Sequence, residues 1–246
     1  MATHSEPVPY HAMILAAGRG ERMRPLTDAQ PKPLLRAGSR RLIEYHISSL
    51  AHAGFQHIVI NHAYLGTMIE DALGNGARYG IQISYSPEKK VLETAGGIAN
   101  ALPLLTDAGY HRPFLVVNAD IYCEFDYTSL LPILQVMHRN SSGRHAHLVL
   151  VNNPLHHAEG DFALKQDRVV LTREDFLTFS GIGVYHPLLF EDVTPGKPVK
   201  LALILRAAIN NACVTGEFFP GIWMDIGTPD RLMQLDSLLN ARHANG

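Results

Sequence analysis

Between Gly18 and Lys32 the chain gathers side chains suited to holding a polyphosphate. Gly18 and Gly20 carry no Cβ, so the backbone can turn tightly there and aim bare N–H groups at an anion. Arg19, Arg22 and Arg24 put three guanidiniums close together, and Lys32 follows between Pro31 and Pro33, which stiffen its approach. A guanidinium forks onto phosphate oxygens, whereas an ammonium acts as a compact charge. The apolar run His11 to Ala17 before the loop reads as a buried strand, and open α/β sheets bind ligands beyond the carboxyl ends of their strands. Two common phosphate motifs are excluded. There is no G-x-x-x-x-G-K-[ST], and the dinucleotide fingerprint lacks its third glycine, because Met23 and Pro25 occupy that region.

Two carboxylates stand where a crevice would open. Asp120 follows the apolar run Phe114 to Val117 in VVNAD, and Asp225 lies in WMDIGT ahead of the last helix. Alone, each fits a cap or turn as well as a ligand. The stretch SPEKKVLETAGGI, Ser86 to Ile98, ends in small residues that let a ligand approach the backbone.

The elements that must position these groups alternate. A strand at 11–17 precedes an irregular segment at 18–40, then a helix over Arg41 to Ala53 stopped by Gly54. Ile58 to Ile60 and Ile81 to Tyr85 read as strands with a helix at Leu65 to Leu73 between them. Thr94 is expected to cap a helix reaching Leu102, and Phe114 to Val117 is a further strand. This alternation predicts an α/β fold with a doubly wound, mainly parallel sheet. After about residue 145, strands at His147 to Val151, Phe162 to Leu164, Val169 to Leu171 and Phe179 to Tyr185 predict a small antiparallel section. Helices at Lys200 to Asn210 and Pro229 to Ala241 close the chain, the latter capped by Thr228. The expected organisation is an extension at 1–10, disordered, and one domain at 11–246, whose 11–145 part binds nucleotide and whose 146–246 part binds sugar and closes the fold.

The pattern G-x-G-x-R-(Leu/Met)-x-P-x-T followed by P-K-P is supplied here by Gly18, Gly20, Arg22, Met23, Pro25, Thr27, Pro31, Lys32 and Pro33. It resembles the signature of the sugar-1-phosphate nucleotidylyltransferases, also called nucleoside-diphosphate-sugar pyrophosphorylases. The resemblance implies the Rossmann-like fold of that family, with backbone from Gly18 through Glu21 to Arg22 wrapping a nucleotide and Arg22 and Lys32 on its phosphates. The segments at Asp120 and Asp225 resemble the family's V-x-G-D and W-x-D-x-G-T, which implies that both hold Mg2+. The Ser86–Ile98 stretch resembles the L-(Gly/Glu)-T-A-G segment that borders the base, so Glu88 first, then Glu93, Thr94 and Gly97, are implied contacts. The implied reaction is in-line attack of a sugar-1-phosphate oxygen on the α-phosphorus of a nucleoside triphosphate, with Arg22, Lys32, Asp120 and Asp225 as the catalytic set. The acceptor phosphate is already anionic, so no protein nucleophile is needed.

For the sugar, Asn118 is placed to bond a hydroxyl or acetamido group, and Gly160 corresponds to the family's glycine beside the sugar. The family's E-K-P is missing. LTREDFLTFSGI stands there instead, with Glu174 as the acidic substitute and Arg173 as the basic one. The segments LIEYH, IVINHAYLG, LETAGGI, NNPLHH, GDF, TFSGI and KLALILR resemble a narrower branch, the N-acetylmuramate-1-phosphate uridylyltransferases of bacterial cell-wall recycling. That branch implies UTP and N-acetylmuramate 1-phosphate as substrates, with Arg173 or Lys200 facing the lactyl carboxylate. The motifs also resemble mannose-1-phosphate guanylyltransferase.

Bulk properties exclude other classes. A net charge of −2 with scattered basic residues argues against a nucleic-acid surface. No apolar run is long enough to span a bilayer, the N-terminus is not a signal peptide, and two distant cysteines fit a reducing compartment, so a cytoplasmic protein is expected. The histidines lack metal-ligand spacing, there is no D-x-D of a glycosyltransferase near Asp120, and a non-catalytic sensor would not be expected to keep all four catalytic residues. A monomer or small homo-oligomer is expected.

Overall fold

The structure is a computed structural model describing residues 10–106, 112–140, 143, 145–172 and 175–244. Strand β1 (Ala12–Leu15) leads through a loop with one helical turn, α1 (Leu26–Ala29), into a two-residue hairpin of β2 (Arg36–Ala37) and β3 (Arg40–Arg41). Then come α2 (Leu42–His52), β4 (His57–His62), α3 (Gly66–Leu73), β5 (Gln82–Pro87), α4 (Glu93–Leu105) and β6 (Phe114–Asn118). A three-residue strand β7 (Ile121–Cys123) and α5 (Leu131–Arg139) precede β8 (Ala146–Val151), β9 (Phe162–Lys165), β10 (Arg168–Val170) and β11 (Phe176–Tyr185). The chain closes with α6 (Leu201–Asn210), β12 (Val214–Phe218), β13 (Trp223–Asp225) and α7 (Pro229–Ala244).

Nine strands form one sheet in the order β5-β4-β1-β6-β11-β8-β12-β10-β9. The first four are mutually parallel, as expected. Beyond them β11 runs antiparallel to both β6 and β8, while β12 lies parallel to β8. The antiparallel section is therefore a continuation of the parallel sheet, joined through the β6–β11 ladder, and is larger than the sequence indicated. Strand β12 escaped notice because VTGEF offers neither an apolar run nor a clean alternation. The β7–β13 ladder escaped because three residues carry no readable period.

The sheet is covered on both faces, and β1 shows why its residues are all apolar. Ala12 and Ile14 pack with Ile43, Ile47 and Leu50 of α2, while Met13 packs with Ala95 and Ile98 of α4. Helix α2 is fixed at its start by Glu44, whose carboxylate accepts the Arg41 backbone N–H at 2.8 Å. Helix α7 sets Leu232, Leu235 and Leu239 against Met23, Leu42 and Ile226, and Asp236 accepts the Gly38 N–H at 2.7 Å. The last helix is thereby tied to the end of the first loop.

Two expectations need correction. Tyr10, placed in the extension, is buried with its ring against His138 of α5; residues 1–9 lie outside the described residues. Helix α4 begins at Glu93, and Thr94 is not its cap. The Val199 carbonyl takes the N–H groups of Ala95 and Gly96, at 2.9 and 3.2 Å, so the helix start is satisfied by a distant segment.

Candidate active site

The carboxyl ends of β1, β4 and β6 open on a cleft of about 440 Å³ walled by the first loop, Glu88, Thr94 and Asp120. Asn61, at the end of β4, braces it. Its Oδ1 accepts the Ala16 N–H at 2.9 Å, and its Nδ2 donates to Glu88 Oε1 at 2.7 Å. Glu88 Oε2 accepts the Leu92 N–H at 2.9 Å. Burial pushes the Glu88 carboxyl above the usual range, opposed by these hydrogen bonds and by His62. A Cβ on Gly97 would stand 2.7 Å from Glu88 Oε1 and 2.8 Å from Asn61 Nδ2, so this position has no room for a side chain. Glu88 and Gly97, both expected from the sequence to border a base, lie side by side, and both Glu88 oxygens are engaged by protein.

The loop's arginines separate. The Arg19 guanidinium lies over the Tyr64 ring, and Arg24 pairs with Asp28 at 2.9 Å. Arg22 reaches across the cleft, its Nη2 3.1 Å from where a Cβ on Gly227 would be. Gly20 holds a left-handed φ of 67°, its carbonyl accepts from Thr27 Oγ1 at 2.8 Å, and a Cβ there would crowd Thr27 and Lys32. Gly18 has open space on its Cβ side, and Glu21 lines the cleft.

Lys32 begins a tight turn set by its flanking prolines, and its Nζ donates to Asp120 Oδ2 at 2.7 Å. The lysine side chain is 8 % exposed and the aspartate 49 %, so the ammonium is buried and the carboxylate faces the cleft. Asp225 arrives through the small ladder, with Ile121 opposite Asp225 and the Ile226 N–H donating to the Asp120 carbonyl at 2.7 Å. Residues far apart in sequence are thus locked as neighbours by backbone pairing. Asp225 Oδ1 is held by Arg231 and by His156 Nε2, the latter at 2.8 Å. Each carboxylate keeps one oxygen, Asp120 Oδ1 and Asp225 Oδ2, without a protein partner among the described residues. Two carboxylates with free oxygens suit a hard cation that retains several waters. Among the described residues no three His, Cys, Asp or Glu side chains cluster to hold a metal alone.

A second hollow of about 240 Å³ continues from the first past Glu93, Thr94 and Asn118, and is closed by Asp161, Phe179 and Lys200. Asn118 rests on Gly181, which has a φ of 84° at the bulge in β11; a Cβ there would come within 2.7 Å of Asn118 Nδ2. Gly160 does not line this hollow. It lies in a separate depression with Asn153 and Arg206, and its neighbour Asp161 turns inward, accepting the Phe179 N–H at 2.8 Å. Arg173 and Glu174 lie outside the described residues.

Sequence reasoning missed Asn61, Asp161, His156 and Arg231. Asn61, His156 and Asp161 stand in the segments IVINHAYLG, NNPLHH and GDF but were given no role there, and Arg231 left the signal of a cation in the first turn of a helix, where the backbone dipole disfavours it. The adjacent histidines reach two different carboxylates, His156 to Asp225 and His157 to Asp161 at 3.1 Å. No helix among the described residues is long and apolar enough to cross a membrane.

A family model described as nucleotidyl transferase matches residues 11–157. The N-acetylmuramate alpha-1-phosphate uridylyltransferase of Neisseria meningitidis serogroup B is 49 % identical over 94 % of this chain and 98 % of its own length. The mannose-1-phosphate guanylyltransferase catalytic subunit beta of Danio rerio is 30 % identical over 89 % of this chain, which spans 61 % of that relative. Among solved structures, a UDP-glucose pyrophosphorylase complexed with UDP-glucose aligns with a TM-score of 0.71 at 20 % identity, covering 96 % of this chain and all of that one. HddC from Yersinia pseudotuberculosis complexed with GMP-PN also has a TM-score of 0.71 at 20 % identity, covering 93 % of this chain and 99 % of that one. These structures share the fold.

Proposed function

Because this chain belongs to the nucleotidyl transferase family, we propose that it transfers UMP from UTP to N-acetylmuramate 1-phosphate, releasing pyrophosphate and UDP-N-acetylmuramate. The observation that carries this reading is the 49 % identity to the Neisseria uridylyltransferase over nearly the full length of both chains. The two joined hollows support it, one suited to a triphosphate and the next to a phosphosugar. The setting we propose is cytoplasmic cell-wall recycling, on the strength of the branch resemblance.

The residues divide the work. Residues 11–145 hold the nucleotide and 146–246 close over the sugar. Backbone at Gly18, Gly20 and Glu21 wraps the phosphates, Arg22 and Lys32 bind their oxygens, and the braced Glu88 with Thr94 and Gly97 borders the base. Asp120 and Asp225 hold Mg2+, which supplies charge neutralisation for the leaving pyrophosphate. The acceptor phosphate needs no base to attack, so the protein's contribution is alignment and preorganised charge. Asn118 and Asp161 offer hydrogen bonds to the sugar, with Gly160 setting the turn that brings Asp161 inward. Lys200, at the mouth of α6, meets the lactyl carboxylate.

The deciding experiment incubates the protein with Mg2+, each of UTP, GTP and dTTP, and a panel of sugar 1-phosphates, while measuring pyrophosphate. UTP with N-acetylmuramate 1-phosphate should be fastest. A preference for GTP with mannose 1-phosphate would favour the second reading that the Danio relative supports. No pyrophosphate from any pair would sink the activity.

A further inference from the structure

Asp225 is countered by Arg231, which engages its Oδ1 and whose Nη1 also donates to His156 Nε2 at 2.7 Å. A point above Gly227 lies 2.6 Å from Arg231 Nη2, 3.1 Å from Arg22 Nη2 and 3.2 Å from Asp225 Oδ2, so two guanidiniums converge beside the remaining oxygen. The Arg231 side chain is only 15 % exposed. It occupies the first turn of α7, where the helix dipole opposes a cation. Its N–H and Nε turn to Thr228 Oγ1, and Asp225 is the acid that offsets its charge. Asp120 is similarly matched by Lys32.

We propose that Arg231 is a positioning residue that neutralises Asp225 in the nucleotide-free protein and leaves Oδ2 turned to the cleft. A divalent cation then binds weakly until nucleotide phosphates arrive to share it. A divalent ion must give up hydration to bind, and two carboxylates already paired with resident cations return little net attraction. Phosphate oxygens supply the missing negative charge and give Arg22 and Lys32 an alternative partner. Cation and nucleotide therefore raise each other's affinity by the same factor. This inference rests on the proposed function in taking Asp120 and Asp225 as the metal's ligands.

The test titrates Mn2+ into the full chain without nucleotide and follows the free ion by electron paramagnetic resonance. The wild type should bind with a Kd of about 1 mM, in the range of weak oxygen-ligand sites. Arg231→Gln should tighten binding about tenfold, and Arg231→Lys should stay near the wild type, because it keeps the charge. The double variant Arg231→Gln with Asp225→Asn should lose the gain. A residue that merely supports the fold would leave Mn2+ binding unchanged or weaken it on removal, so either result with Arg231→Gln overturns the inference. Tightening that survives Asp225→Asn overturns it as well. So does a wild-type Kd below about 50 μM, a measurement that needs no variant to fold. Pyrophosphate release by the wild type separates the two levels. With release present and tightening absent, only the role of Arg231 fails; with no release from any substrate pair, the proposed function fails.

Discussion

The end of the cleft proposed for the nucleotide takes Gly18, Gly20, Arg22 and Lys32 from one continuous stretch, whereas the end proposed for the sugar collects Asn118 from β6, Asp161 ahead of β9, Phe179 from β11 and Lys200 ahead of α6. The first arrangement is a local device, a glycine turn and a proline-stiffened lysine that fold back on each other over a short span. The second exists only once four separate segments have been brought together by the sheet. The difference teaches where each end is vulnerable. Damage to the loop acts directly on charge, while damage to the sugar end acts through the placement of strands and turns. Asp120 and Asp225 lie at the seam, since the β7–β13 ladder draws its partners from both halves.

The sharpest way to break this comparison is Asp120→Asn, which keeps the shape and the acceptor for Lys32 but removes the charge. Pyrophosphate release should fall by about 10² to 10³, the typical loss on removing one preorganised electrostatic group. A rate within tenfold of wild type would reject the seam as the reacting centre.

His46 tests whether the seam is also a folding element. It is buried, its Nε2 hydrogen bonds to the Ile121 carbonyl at 2.8 Å, and burial lowers its pKa to about 4. The unfolded chain takes up this proton below about 6.5, the folded chain only near the lowered value. Stability from this group is complete above about pH 6.5 and is lost as the pH falls toward 4, by at most about 3 kcal/mol. Denaturant unfolding at pH 7 and 4.5 should show a smaller acid-induced loss in His46→Gln than in wild type; equal losses would remove His46 from the account.

Gly97→Ala asks how tightly the nucleotide wall is packed. Its methyl group would press on Glu88 and Asn61, costing about 1–3 kcal/mol of stability. The KM for UTP should rise while that for the sugar phosphate holds, and the reverse pattern would mean the wall serves the other end.

Lys200→Gln has the smallest expected effect and reads the sugar end alone. The KM for N-acetylmuramate 1-phosphate should rise about tenfold, the worth of one charge-assisted hydrogen bond. N-acetylglucosamine 1-phosphate, which lacks the lactyl carboxylate, should be unaffected. Equal changes for both sugars would detach Lys200 from the carboxylate.

The sequence by itself determined the alternating core and the glycine- and arginine-bearing loop that walls the cleft. Apolar runs such as AMIL specify buried strands through hydrophobic patterning, and Gly20 and Pro33 constrain the backbone through their own covalent geometry. Arg22, Lys32, Asp120 and Asp225 were legible because their neighbours in the chain form a recognisable context. Tertiary structure alone decided that Lys32 meets Asp120, that Asn61 joins the loop to Glu88, and that Asp161 rather than Gly160 lines the second hollow. It also decided that Val199, from a distant segment, satisfies the start of α4 where Thr94 was expected to. These contacts join positions far apart in the chain. No local propensity encodes them; they follow from strand order and register, which emerge only when the whole sheet is assembled.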